Sequence, residues 1–365
     1  MFQQPWKLIP NKVRSEGGRE IDFFRGAPEQ GDTQNGAEAW IGSVTRANGV
    51  TSESPNLGCS KVDLPDGTRR YLFEVIQEAP EKVLGNTHIK RFGMDLGILI
   101  KLLDAKSQFL LQCHPTREVA KRLWNSDYGK EECWHILSIR NDVPEPPYIR
   151  LGFKSGITRK KFEHLYQTGD IEGLEVLCHK FAVKPGETYF VPAGMPHALG
   201  VGCFVVEIQE PSDLTAVPLK QNKLLSFRRR ANPKGVFTPI DDELYEKRML
   251  ESFDYKGYSL DELKHITRCK NKIINQGCWG RETLIIGLEH TPFFSATLME
   301  VTGTTPLSST GDIRIGLVTR GKGEIVSNDG KLCIQRGSEV FFPYDIKDTQ
   351  LFGDFSILLF NPPAV

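Results

Sequence analysis

The 365-residue chain has no excess of either charge: 46 Lys+Arg stand against 46 Asp+Glu, a formal net charge of +0 at pH 7. Proteins that follow phosphate backbones or anionic bilayers carry a basic surplus, so the expectation is a protein with no nucleic-acid or membrane partner. The chain also lacks a run of about 18 apolar residues, and its start, MFQQPWKLIPNKVRSEGG, lacks the positive segment and apolar core of a secretion signal. Its eight cysteines (59, 113, 133, 178, 203, 269, 278, 333) include no CxxC pair. A secreted disulfide scaffold is short and cysteine-dense; these read as reduced, mostly buried thiols, which makes the cytoplasm the expected compartment. Disorder is excluded by 39% hydrophobic and 10% aromatic residues. At about 150 residues per domain the length suggests roughly two domains.

What the chain does have is short apolar runs punctuated by 34 Gly and 22 Pro: YLFEVI, FVVEIQ, TLIIGLE and FSILLF among them. That texture predicts strands closed by turns. Three segments interrupt it with helical patterning, near 116–126, 158–178 and 241–265, the first with Thr116 as N-cap and Glu118 in its opening turn. An internal echo gives the arrangement more shape. KPGETYFVPAGMPHALGVGCFVVEIQEP, from Lys184, returns at a constant offset of 151 as QRGSEVFFPYDIKDTQLFGDFSILLFNP, from Gln335: Gly186 matches Gly337, Pro192 matches Pro343 and Pro211 matches Pro362. Two related β-barrels or sandwiches are the expectation. His197 falls opposite Asp348 and Glu207 opposite Leu358, so the first copy is equipped for chemistry and the second is stripped.

The equipment has metal-ligand character. In FLLQCHP, Gln112 and His114 stand two apart in a strand and leave the same face; Glu132 follows in GKEECWHIL and His197 in the displayed loop VPAGMPHALG. Two imidazoles, one carboxylate and an amide oxygen suit a divalent ion with positions left for water or substrate. Glu131 competes with Glu132, but neighbours in a strand face opposite sides, so one of the two points inward. Glu207 is a charge embedded in the apolar strand FVVEIQ, read either as a pocket residue or as a solvent-facing edge position. The remaining six histidines (88, 135, 164, 179, 265, 290) read as structural.

PAGxxHA after KPGExYFV resembles a cupin, and the ordered set QCHP, GKEEC, PAGMPHALG and EIQEPSD, with EAWIGS and LIKLLDA ahead of it, closely resembles class I mannose-6-phosphate isomerases. The resemblance implies a mainly β fold of two cupin (jelly-roll) barrels with helical insertions: an N-terminal catalytic cupin at 1–221, a helical insertion at 222–270 and a degenerate C-terminal cupin at 271–365. It implies Zn2+ (with Fe, Mn or Co as substitutes) on Gln112, His114, Glu132 and His197, and catalytic roles for Glu207, Lys101 and Lys130. Trp40, Lys220 and Lys223 become substrate-binding candidates. The implied partner is a small sugar or sugar phosphate, and the implied assembly a monomer or homodimer.

The implied reaction interconverts mannose 6-phosphate and fructose 6-phosphate through a cis-enediol, with the metal and lysines holding developing negative charge. Glu207 is the preferred base, with Glu131, His135 or a metal-bound water as alternatives. One departure is serious. The family has an arginine ten residues after the strand glutamate, and that position here is Val217. Lys220, Lys223 or one of Arg228, Arg229 and Arg230 is left to supply the charge, although lysine offers a point charge where arginine offers a planar fork. Three other readings therefore stay open: a metal-retaining sugar-binding or regulatory cupin, an isomerase for a different sugar, and an Fe(II) oxygenase built on a His/His/carboxylate triad.

Overall fold

Three strands, Leu99–Asp104, Glu132–Ile139 and Cys203–Gln209, are buried over all or most of their length. Strands covered on both faces read as continuous apolar runs instead of alternating ones, and these three occupy the middle of the molecule. In the computed structural model, which describes residues 1–27, 31–231 and 235–363, they form the centre of a seven-stranded sheet. Its order is Arg268–Cys269, Thr188–Val191, Glu132–Ile139, Cys203–Gln209, Leu99–Asp104, Glu38–Ile41, Lys12–Arg14. Residue parity then divides the two faces. Leu103, Trp134, Ile136 and Val205 pack against Ile149, Leu151 and Leu199 of a four-stranded sheet. Ile100, Leu102, Cys133, Val206 and Ile208 point the other way, onto Ile315, Leu317, Phe341, Leu358 and Phe360 of a ten-stranded sheet.

That larger sheet is built from the C-terminal part of the chain but borrows three short N-terminal strands, Trp6–Leu8, Lys61–Asp63 and Arg69–Tyr71. Trp6 stands opposite Phe341, the two rings stacked 5.6 Å apart. The fold is mainly β, as the sequence indicates, and the internal echo is visible in it. Thr188–Val191 and Glu339–Phe342 are strands with identical bounds under the 151-residue offset. Gly186 (φ 84) and Gly337 (φ 85) share the left-handed conformation that opens both turns. The strand order through the first copy, 188–191, 132–139, 203–209, 99–104, 38–41, recurs in the second as 339–342, 314–327, 349–361, 295–307, 280–286.

Helical expectations fare unevenly. Thr116 does cap a short helical segment, its side chain accepting from the Val119 N–H at 3.3 Å, and the 158–178 pattern resolves into the helices Arg159–Thr168 and Ile171–Val176. The 241–265 pattern breaks into Asp242–Ser252 and Leu260–Thr267. Between them Gly257–Tyr258 is a strand, in which a Cβ on Gly257 would lie 2.6 Å from the Lys154 carbonyl oxygen. YLFEVI, expected as a strand, is instead mostly helix: Leu72–Glu78 buries Leu72, Val75 and Ile76, a spacing of three and four that so short a mostly apolar run does not distinguish from a strand. Glu74 closes its first turn by accepting from the Tyr71 N–H at 3.1 Å.

The two turn glycines differ in surroundings. A Cβ on Gly186 meets nothing within 4 Å, whereas one on Gly337 would lie 2.4 Å from the Arg25 Cα. Gly186→Ala is expected to cost about 1–2 kcal/mol, the left-handed penalty alone, and Gly337→Ala clearly more, because backbone must move. Chemical denaturation of the two variants side by side checks the order.

Candidate active site and metal centre

The site lies on the sandwich-facing side of the seven-stranded sheet and is set by register. Trp40 pairs with Lys101, Lys101 with Glu207 and Glu207 with Trp134, so four residues from four neighbouring strands form one row across the sheet. Lys101 Nζ lies 3.2 Å from Glu207 Oε1 and 5.1 Å from the Trp40 ring centroid, while Trp134 Nε1 donates to Glu207 Oε2 at 3.0 Å. Lys101 is 3% and Glu207 4% exposed. Charges this deep exist only in pairs, because an unpaired one would be neutralised or expelled.

One step along the strands stands the second cluster. Glu132 begins its strand opposite Val191 and Gln209, and His197 and Gln112 face each other across an isolated bridge. Nε2 of His114 is 3.1 Å from Glu132 Oε2, Nε2 of His197 is 3.3 Å from Glu132 Oε1, and Lys130 Nζ reaches His114 Nε2 at 2.8 Å and Glu132 Oε2 at 3.1 Å. The two imidazole rings are 4.8 Å apart. Each imidazole has its Nδ1 on a main-chain carbonyl, His114 on Leu214 at 2.8 Å and His197 on Met195 at 2.9 Å. Nδ1–H donated there leaves Nε2 as the lone pair, turned toward Glu132.

The electrostatics agree with that tautomer. Burial, helped by the Lys130 ammonium, pushes His114 down to about 3, and burial lowers His197 as well. For Glu132 burial acts upward but is outweighed by Lys130 and the two histidines, so the carboxylate stays well below its usual range. Glu207 goes the other way: burial first, and then the Glu132 charge, raise it against the pull of Lys101 and Lys130. Two carboxyls on one sheet face are thereby shifted in opposite directions.

His114, Glu132 and His197 offer ligand atoms within 4.8 Å of one another, all three residues buried. Apart from the Lys130 ammonium, an ion-pair neighbour at 3.1 Å from Oε2, neither oxygen of Glu132 has a hydrogen-bond partner among the described residues, which leaves the buried carboxylate room for a further cation. These donors fit a divalent ion of the zinc type: two neutral imidazoles and a carboxylate. Gln112, half-buried, lies with its side-chain amide 3.3 Å from His197 Nε2, so its oxygen is within reach as a fourth ligand once the amide is turned over.

Several sequence expectations change here. His135 is buried on the opposite side of its strand from Glu132 and Trp134, its Nδ1 2.9 Å from Thr188 Oγ1, and burial lowers it to about 4. Glu131 sits by Thr291 and Glu210. Neither faces the row, because successive strand residues alternate sides. Lys220 is engaged elsewhere, 2.5 Å from Gln167 Oε1, 3.7 Å from Glu246 and 4.1 Å from the Tyr166 ring centroid, and Lys223 is exposed. Val217 packs with Leu219 and Leu224 in a small apolar cluster. The Arg230 side chain lies outside the described residues. In the second copy Arg314 occupies the register position of Glu132, Leu298 that of Lys101 and Leu317 that of Trp134, beside Leu358.

Three residues escaped the sequence reading. Gln209, fully buried, faces Glu132 across the strands, and its Oε1 has no partner among the described residues. Arg14 and Asp213 form a two-pronged pair at 2.7 Å and 2.7 Å, with Arg14 also on Glu38 at 3.0 Å. Asp213 was visible in EIQEPSD; Arg14, 199 residues away from it, carried no local signal.

An antiparallel sandwich whose strand and loop ends bring two histidines and a glutamate together can hold a divalent ion. Residues 22–132 match the family model "Phosphomannose isomerase type I, catalytic domain". The chain is 27% identical over 279 residues to the probable mannose-6-phosphate isomerase GmuF of Bacillus subtilis, covering 75% of this chain and 79% of that one. With the mannose-6-phosphate isomerase of Streptococcus mutans it shares 26% over 298 residues, covering 80% and 84%. Among solved structures, the mannose 6-phosphate isomerase from Bacillus subtilis superposes with a TM-score of 0.71 at 22% identity, covering 98% and 100% of the two chains. A zinc-bound mannose 6-phosphate isomerase superposes at 0.68 and 17% identity, covering 98% and 99%. Over most of its length the chain is thus similar to mannose-6-phosphate isomerases, and over residues 22–132 to the type I catalytic domain.

Two outcomes follow from the geometry. His114→Ala and His197→Ala are each expected to reduce bound metal from about one ion per chain to a small fraction, read by elemental analysis after dialysis. Burial acts upward on the Asp213 carboxyl, but Arg14 outweighs it and holds the group well below the usual carboxylate value. Its stabilisation is therefore present above about pH 3.9 and lost as the pH falls through the depressed value. Asp213→Asn is expected to cost about 3–5 kcal/mol at pH 7, since it leaves Arg14 under-paired, and the gap to wild type in thermal melts should narrow below pH 4.

Proposed function

We propose that this protein is a divalent-metal-dependent isomerase that interconverts mannose 6-phosphate and fructose 6-phosphate. The observation that carries the reading is the adjacency, on one buried sheet face, of a His114/Glu132/His197 donor set and the Trp40–Lys101–Glu207–Trp134 row. The names of the relatives supply the substrate class. Free, mostly buried cysteines favour a cytoplasmic location. In this reading residues 1–221 form the catalytic unit, 222–270 a helical insertion and 271–365 the stripped second copy.

Aldose–ketose isomerisation takes a proton from C2 and returns it to C1 while negative charge develops on the sugar oxygens. His114, Glu132 and His197, with Gln112 completing the set, would hold a Zn2+ ion whose Lewis acidity polarises those oxygens. Glu207 is the base. Its Oε1 has no hydrogen-bond partner among the described residues and lies 3.2 Å from the Lys101 ammonium, and its Oε2 is fixed by Trp134. A carboxyl raised by burial accepts a proton more readily than an exposed one. Lys101, held charged by Glu207 and other acids despite its burial, adds positive potential where charge develops. Lys130 does the same from the other side of Glu132. Trp40, fully buried beneath Lys101, fixes the lysine by a cation–π contact.

Metal-replete protein is expected to convert mannose 6-phosphate to fructose 6-phosphate, with activity lost to a chelator and restored by zinc. Glu207→Gln should lower kcat by about 10²–10⁴ while metal content stays at wild-type level. Absence of turnover by metal-replete protein on phosphorylated and free aldoses alike would return the chain to the class of sugar-binding cupins.

A further inference from the structure

The helix Gln221–Ala231 follows directly on the segment that closes the site. Leu214 of that segment accepts from His114 Nδ1 at 2.8 Å, and Asp213 is held by Arg14 and by the Asn48 N–H at 2.8 Å. The segment continues through Val217 and Leu219, whose carbonyls both accept from Tyr245 Oη, at 3.2 and 2.8 Å. Its path from metal cluster to helix is therefore anchored at each step. Leu224 of the helix is buried against Val217, Leu219, Leu110 and Tyr245. Arg228 stands four residues on, one turn further along the same face.

Arg228 is thus carried inward, half-buried, while its neighbour Arg229 is exposed. The charged and ionisable groups that act on it are Asp213, Arg14 and Tyr245, and burial holds its guanidinium below the usual arginine range. Every other cation around the site has a carboxylate of its own: Arg14 has Asp213 and Glu38, Lys101 has Glu207, Lys130 has Glu132. Arg228 makes no hydrogen bond or ion pair among the described residues. A half-buried guanidinium with five donors and no acceptor is a site for an anion that arrives from outside.

We propose that Arg228 binds the phosphate of the sugar phosphate, taking the place of the cation that the apolar Val217 does not supply. The proposal rests on the sugar-phosphate reading above. It makes Arg228 a substrate-binding residue contributed by the inserted helix, not by the metal-bearing strands. Lys220 is excluded from the role by its ties to Gln167 and Glu246, and Lys223 by its exposure. The planar fork of arginine suits two phosphate oxygens at once.

The test uses the metal-loaded full chain. Arg228→Ala is expected to raise KM for mannose 6-phosphate at least tenfold, with a smaller change in kcat. Arg228→Lys should fall between it and wild type, and Arg229→Ala should stay within twofold of wild type. Calorimetric titration with inorganic phosphate gives a second readout: Kd should weaken at least fivefold in Arg228→Ala, and in Arg228→Gln if the alanine variant melts early. Wild-type turnover with unchanged KM and unchanged phosphate affinity in the Arg228 variants overturns the proposal and leaves the isomerase reading standing. If wild type fails to turn over, that reading falls, and the phosphate titration still decides whether Arg228 is an anion site.

Discussion

The structure is organised around charges that cannot be buried alone. Lys101 and Glu207 lie opposite each other on neighbouring strands, each less than 5% exposed, and Lys130 and Glu132, two residues apart in one segment, form a second buried pair close by. Removing either partner of such a pair leaves a bare charge in a medium that cannot solvate it, a loss of about 3–5 kcal/mol. Strand register is consequently not free to slip: a shift of one residue would turn Lys101, Glu207 and Trp134 onto the opposite face, into the apolar packing of Ile315, Leu317 and Leu358. The constraint that holds the fold in register is the one that builds the site.

Comparison of the two sheet copies shows what that constraint costs. The same strand order and the same left-handed glycine turn appear twice, at Gly186 and Gly337. In the second copy the row opposite Leu358 is filled by Leu298 and Leu317, and the position of Glu132 is taken by Arg314, which binds Asn361 and a main-chain carbonyl. An apolar row packs without any requirement for paired partners. The first copy has retained the more demanding arrangement, as expected where buried charge serves chemistry and not stability.

The electrostatic division within the first copy is set by position. Glu132 sits among Lys130 and two imidazoles and stays ionised, whereas Glu207, 75 residues further on and beside the charge of Glu132, is pushed upward. A carboxylate that holds its charge suits a cation, and one whose basicity is raised suits proton transfer. Both imidazoles are fixed by main-chain carbonyls, so the donor face they present to Glu132 does not depend on any mobile side chain.

Local sequence was enough for whatever depends on short-range spacing. The i, i+2 placement of Gln112 and His114, the turn glycines of the repeat and the mainly β texture all act over a few residues, and the structure bears out the mainly β fold; His197, expected in a displayed loop, is instead fully buried at the start of the strand His197–Leu199. The YLFEVI helix was not legible, because so short a mostly apolar run fits either period and only tertiary packing selected the face of Leu72, Val75 and Ile76. Nor was the choice between Glu131 and Glu132, or the exclusion of His135, since each depends on which face of one strand the sandwich covers. Arg14 on Asp213 and Gln209 opposite Glu132 are contacts between distant stretches of chain. Chemistry-bearing residue types were determined by the sequence itself; their partners, and hence their charge states, were decided only by the tertiary structure, because pairing and burial are properties of neighbours in space.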